Sequence, residues 1–170
     1  MNKKTNKIVM AALFAALCCS FTYYIHVSLP YGYANLGDVI VLLGAVLLGP
    51  LYGAIAAGVG AALADLFMGY AQYIPGTFVI KAIVALICAF LYRLLNRSGR
   101  TNVVFFIVSA VFAEGFMVCG YYLYEAVILP YGFAGAVESV FGNVFQGIVG
   151  VTLSAFILIP VSRLFDKFGK

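Results

Sequence analysis

The sequence predicts an all-α integral membrane protein, a single bundle of six transmembrane helices. Three observations predict it. The chain is 65% hydrophobic and only 9% charged, where a soluble domain carries about 25% charged residues. Its mean hydropathy is +1.08. Its apolar stretches come close to the roughly 20 residues that cross a hydrocarbon core as a helix, and basic residues gather between them. No polar run is long enough for a soluble domain, so residues 1–170 read as one transmembrane domain.

The first helix is read over 8–28. The basic segment before it, Met1 to Lys7, has the character of a signal-peptide n-region, but the apolar run to Leu29 is too long for a signal core and lacks a small-residue cleavage site. Cys18 follows Leu17, which argues against a lipoprotein site as well. The second helix, 36–48, is short and is separated from the third, 49–68, only by the turn signal Gly49-Pro50. A five-helix reading with one broken segment is the alternative. Pro75 opens the fourth helix, 75–95; the fifth runs over 102–129 and the sixth over 137–161.

Charge sets the orientation. Lys3, Lys4 and Lys7 precede the first helix, Arg93, Arg97 and Arg100 lie around the connection between the fourth and fifth, and Arg163, Lys167 and Lys170 follow the sixth. An even number of crossings puts all nine on one face, which the positive-inside rule makes cytoplasmic, with both termini. The outer loops are then 29–36, 69–75 and 129–136, rich in Tyr, Gly and Pro. Tyr31, Tyr33 and Tyr131 at this level fit an interfacial aromatic belt.

Leu29-Pro30-Tyr31-Gly32-Tyr33-Ala34 recurs 100 residues later as Leu129-Pro130-Tyr131-Gly132-Phe133-Ala134, and Tyr24 and Asp38 match Tyr124 and Glu138 at the same offset. Shared turn chemistry accounts for the likeness more simply than duplication does, because Pro and Gly punctuate both copies. The two loops are candidate lids over a site, with the segment from Leu29 to Asn35 expected to order on binding.

Four ionisable residues, Asp65, Lys81, Glu114 and Glu125, lie inside or at the ends of apolar stretches. Charge at that depth costs a few kcal/mol on insertion scales (about 2.5–3.5 per central residue) and is tolerated where it faces a bundle interior or a watery cavity. Glu114, Val118, Tyr121 and Glu125 share a face of the fifth helix at steps of four, three and four; Asn143, Gln146 and Gly150 do the same on the sixth. Lys81 is about 9 Å below the outer end of its helix at 1.5 Å per residue. The residues point either to a polar site in the outer half or to an internal ion pair of Lys81 with Asp65 or Glu114.

Small residues mark close helix packing. Gly49, Gly53, Ala57, Gly60 and Ala64 form a row on the third helix, expected to pack within the chain, whereas Ala11, Ala12, Ala15 and Ala16 on the first suit an external partner helix. Cys18, Cys19, Cys88 and Cys119 form no Cys-x-x-Cys pair and read as small buried apolar residues. His26 is the only histidine, which argues against a metal cluster, and neither a phosphate-binding loop nor a His-Glu-x-x-His motif is present. No cofactor, metal or nucleic-acid partner is expected, and the chain has no evident means of hydrolysing ATP.

Asn35-Leu36-Gly37-Asp38, Leu48-Gly49-Pro50-Leu51-Tyr52-Gly53, Ala64-Asp65-Leu66 and Pro75-Gly76-Thr77-Phe78-Val79-Ile80-Lys81, followed by Glu114-Gly115 and Gly142-Asn143-Val144-Phe145-Gln146-Gly147, resemble the S components of energy-coupling factor (ECF) transporters. The likeness spans nearly the whole chain and is nearest the riboflavin, hydroxymethylpyrimidine and pyridoxine group. It implies a high-affinity vitamin-binding subunit in a bacterial cell membrane that docks on a T component carrying two ATP-binding cassette ATPases and is not itself an enzyme. The implied ligand-binding residues are Asn35, Asp38, Asp65, Tyr73, Lys81, Glu114, Tyr121, Glu125, Asn143 and Gln146, and the implied docking residues are Ala11, Ala12, Ala15 and Ala16. A pyridoxine- or hydroxymethylpyrimidine-like compound is favoured over riboflavin. The alternatives are a self-standing solute carrier and an intramembrane enzyme using Glu114 and Glu125 as acid and base.

Overall fold

The computed structural model describes residues 3–28, 33–98 and 100–168. Among these residues six α-helices form the bundle, in the order α1 (Lys3–Tyr24), β1 (His26–Ser28), β2 (Tyr33–Asn35), α2 (Gly37–Leu48), α3 (Pro50–Met68), a 3₁₀ turn (Ala71–Tyr73), α4 (Ile74–Leu95), α5 (Val103–Leu123), a π-helical turn (Tyr124–Ile128) and α6 (Gly132–Phe168). Five of the spans are long and apolar enough to cross a membrane; α2 is the short sixth helix.

The core is built around α2. Its twelve residues rise about 18 Å, well short of a hydrocarbon core of about 30 Å, yet ten of them are buried. A helix apolar on every side must be covered all round, and the longer helices α1, α3, α4 and α6 pack against it. Gly49 ends α2 at φ +83°, a conformation that favours glycine, and Pro50 starts α3, where its missing N–H costs nothing. The six-helix reading therefore holds over the broken-segment alternative.

The small-residue row of α3 packs inside the chain. A Cβ on Gly60 would lie 2.5 Å from the Ala15 carbonyl oxygen of α1, and one on Gly53 would lie 2.9 Å from the Ala45 Cα of α2. The same contact divides the alanines of α1. Ala11 is buried and Ala15 packs at Gly60, whereas Ala12 and Ala16 are exposed on the outward side with Leu13 and Val9. Only half of the expected docking set is free for another helix. Two cysteines also differ from expectation: Cys18 and Cys88 are buried, but Cys19 is half-buried and Cys119 is exposed.

Two segments correct the sequence reading. The first helix stops at Tyr24, and His26–Ser28 pairs antiparallel with Tyr33–Asn35 in the register His26 to Asn35, Val27 to Ala34 and Ser28 to Tyr33. The β-branched residues Ile25 and Val27 suit an extended chain, and pairing satisfies backbone groups that a frayed helix end would leave open. Leu29 to Gly32, the first four of the six residues of the repeated motif and the first part of the expected lid, lie outside the described residues. The second copy is a loop only over 129–131: Gly132, at φ +67°, opens α6, so 132–136 is helical. Ala34 is thus in a strand and its counterpart Ala134 in a helix, and buried Asp38 corresponds to exposed Glu138. Helix α6 also runs past its expected end at 161, through Pro160, to Phe168.

Candidate functional site

The polar residues gather at the hairpin end of the bundle. Their floor is a buried ion pair: Lys81 Nζ on α4 lies 2.5 Å from Asp38 Oδ1 in the first turn of α2, with the two side chains 4% and 1% exposed. A helix N-terminus favours a carboxylate, and removing two charges from water is tolerated when both are paired and further hydrogen-bonded. Gln146 of α6 supplies that second bond, its Nε2 donating to Asp38 Oδ2 at 2.5 Å. Gln146 Oε1 accepts from the backbone N–H and side-chain Nδ2 of Asn35 at 2.7 and 3.0 Å. Asn35 Oδ1 in turn accepts from the Gly37 N–H at 2.8 Å and from the Thr22 hydroxyl at 3.3 Å. One network thus ties α1, β2, α2, α4 and α6, and the Met117 sulfur of α5 adds a contact 2.9 Å from Lys81 Nζ.

Two more carboxylates stand in the walls. Tyr33 of β2 donates its hydroxyl to Asp65 Oδ1 at 2.5 Å, while Asp65 Oδ2 makes no hydrogen bond. Burial, and then the Asp65 carboxylate beside it, pushes the Tyr33 phenol well above its ordinary value, so it stays a donor. On the other wall Tyr73 donates to Glu125 Oε1 at 3.1 Å and Ser139 donates to Glu125 Oε2. The π-helical turn, closed by the Leu129 N–H on the Tyr124 carbonyl at 3.0 Å, carries Glu125 on its buried side. Between the walls Tyr121 donates to Thr77 at 3.1 Å, and its ring centroid is 5.5 Å from Lys81 Nζ.

Tyrosines form the rim. The ring centroids of Tyr33 and Tyr70 are 5.1 Å apart, those of Tyr70 and Tyr73 6.2 Å, and those of Tyr73 and Tyr124 6.3 Å. Aromatic pairs at these spacings stabilise one another and offer π-faces to a planar ligand. The enclosed space is narrow: water centres have about 30 Å³ in which to move, room for about two waters. A heterocycle can enter only if side chains separate.

Eight of the ten expected site residues line this one cavity: Asn35, Asp65, Tyr73, Lys81, Tyr121, Glu125, Asn143 and Gln146. Asp38 stands behind it as the partner of Lys81, a role the sequence reading gave to Asp65 or Glu114. Glu114 is elsewhere. It is buried with neither carboxylate oxygen hydrogen-bonded, against Gly147 and beside a groove between α5 and α6. Thr22, Tyr33, Ala61, Thr77 and Ser139 also line the cavity. Thr77, Ala61 and Ser139 each precede an expected site residue by four on the same helix face (Lys81, Asp65 and Asn143), a signal present in the sequence. Tyr33 was read as an interfacial residue, and nothing in the sequence singles out Thr22.

Residues 2–163 match the family described as ECF-type riboflavin transporter, S component. A Pyrococcus woesei protein described as an uncharacterised protein in the gap 3′ region is 36% identical over 122 residues, which are 72% of this chain and 77% of that protein. Among solved structures, the crystal structure at 2.1 Å of the S-component for biotin from an ECF-type ABC transporter superposes with a TM-score of 0.63 at 17% identity, covering 99% of this chain and 98% of the other. At that identity the likeness is one of fold.

Proposed function

Because the chain belongs to the family of ECF-type riboflavin transporter S components, we propose that it binds a pyridoxine- or hydroxymethylpyrimidine-like heterocycle for import through the membrane. The observation that supports this reading is the polar cavity at the hairpin end of a largely apolar bundle, lined by Lys81 of the ion pair, carboxylates, amides and tyrosines. Its donors and acceptors suit hydroxyl groups and ring nitrogens, and its rings suit a flat ligand. Riboflavin is the second reading, favoured by the description of the matched family.

The hairpin end faces outward in this account and the basic connections face the cytoplasm. Ligand captured from outside is released inward when the subunit engages a T component and two ATPases, for which Ala12 and Ala16 offer a close-packing face. The cell membrane is bacterial in this reading. An acid–base enzyme is poorly served by the geometry, since Glu125 lines the cavity and Glu114 lies beside the separate α5–α6 groove. A self-standing carrier is separated from the S component by uptake. Radiolabelled pyridoxine or hydroxymethylpyrimidine should accumulate in cells that express the chain with its T component and ATPases, and uptake should vanish with inactive ATPases. Undiminished uptake by the chain alone would overturn the S-component mechanism.

A further inference from the structure

The cavity carries more negative than positive charge. Around and beneath it stand Asp38, Asp65 and Glu125 against Lys81, and Lys81 is already held by Asp38 at 2.5 Å. The hydrogen bonds drawn by Asp65 and Glu125 come from the neutral hydroxyls of Tyr33, Tyr73 and Ser139. The Thr77 hydroxyl, which also acts on the Asp65 carboxylate, is neutral as well. One oxygen, Asp65 Oδ2, has no aligned hydrogen-bond donor in a residue only 1% exposed, and the neutral Thr77 hydroxyl is the side chain left to serve it. Buried carboxylates are ordinarily paired, and an acceptor left open in such a place lacks a donor.

We infer that the ligand itself brings that donor: a nitrogen heterocycle bearing positive charge or an amino substituent, seated with its N–H groups or its charge against Asp65. The inference rests on the proposed vitamin-binding function and narrows its substrate class. Two features favour charge or amino groups over hydroxyl alone. A protonated nitrogen against a carboxylate adds ion-pair attraction to the hydrogen bond, which a neutral hydroxyl donor lacks. The tyrosine rings at Tyr33 and Tyr73, on the wall with Asp65 and beside Glu125, offer the faces over which a cation is attracted. Anionic compounds, whether carboxylated or phosphorylated, face like charge from both walls and are excluded.

The test is a binding panel on the detergent-solubilised chain, by calorimetry, with 4-amino-5-hydroxymethyl-2-methylpyrimidine, thiamine, pyridoxamine, pyridoxine, riboflavin and biotin. One of the first three should bind at least tenfold tighter than pyridoxine, riboflavin and biotin. Asp65→Asn should erase at least tenfold of that affinity, the size of one hydrogen bond to a charged group. The selectivity of the unmodified chain is read independently, so a poorly folding variant does not blunt the test. Tightest binding of pyridoxine, riboflavin or biotin overturns the inference and leaves the S-component function standing. Unchanged affinity in a folded Asp65→Asn variant overturns it too. Binding of none of the six overturns the inference together with the proposed ligand class.

Discussion

At Lys81 a substitution removes two things together, a cavity donor and half of a buried ion pair. Lys81→Ala leaves Asp38 charged, 1% exposed and without its cation, and breaking a buried pair in this way costs about 3–5 kcal/mol. Replacing both partners with apolar residues, as in Asp38→Leu with Lys81→Met, removes the charge that needed a partner and is often neutral or stabilising. Unfolding in detergent followed by circular dichroism should therefore rank the single variant well below the double variant. Equal midpoints would mean that the pair contributes little. Loss of binding in Lys81→Ala alone is poor evidence for contact with ligand. Asn143→Ala removes a lining amide that has no part in the floor network and is the cleaner substitution. At this scale the sequence named the polar residues well, since charge within apolar spans is conspicuous, but it did not name the partner of Lys81. Asp38 sits in the first turn of a helix whose burial becomes evident only once four others pack around it.

The elements divide along similar lines. The helices α2, α3, α4 and α5 begin within one residue of their expected starts; Gly49-Pro50 and Pro75 do mark helix starts, and Asn102 caps α5, its side chain accepting from the Phe105 N–H at 3.1 Å. The hairpin escaped notice because no glycine or proline separates α1 from β1, and a three-residue strand has no period to read. Leu129-Pro130-Tyr131 is the turn the sequence suggests, but Gly132 starts α6, so the helix begins five residues before its expected start at 137. Helix α1 shows how packing sorts one motif into two roles. Ala15 faces Gly60, while Ala12 and Ala16, four residues apart, share the exposed side. Leucine at Ala12 and Ala16 together should leave ligand affinity intact and prevent co-purification with the T component, because it holds the partner backbone away. Leucine at Ala15 should instead lower the stability of the isolated chain by pressing on α3. Complete assembly and uptake in the Ala12→Leu, Ala16→Leu protein would sink the docking face.

For the whole molecule, composition and the distribution of basic residues made the architecture legible before any contact was known. Few folds other than a membrane bundle accommodate so apolar a chain. The gathering of the polar groups was legible for the same reason: at similar depth on several helices they must find one another or water. The shape of the site was not legible, since it depends on how α2 is enclosed, on the π-helical turn that carries Glu125, and on a hairpin that brings Tyr33 to Asp65. Glu114 marks the limit of depth and face as guides, for it shares a face with Tyr121 and Glu125 yet packs on Gly147 beside a different groove. The central claim is that this cavity holds a vitamin-type heterocycle. Native mass spectrometry of the chain purified in detergent from its expression host tests it most directly. One nitrogen heterocycle should be retained at about one per chain, and Asn143→Ala should lose it while staying folded. Retention of that compound at full occupancy in the variant, or a retained compound that is no heterocycle, would contradict the account.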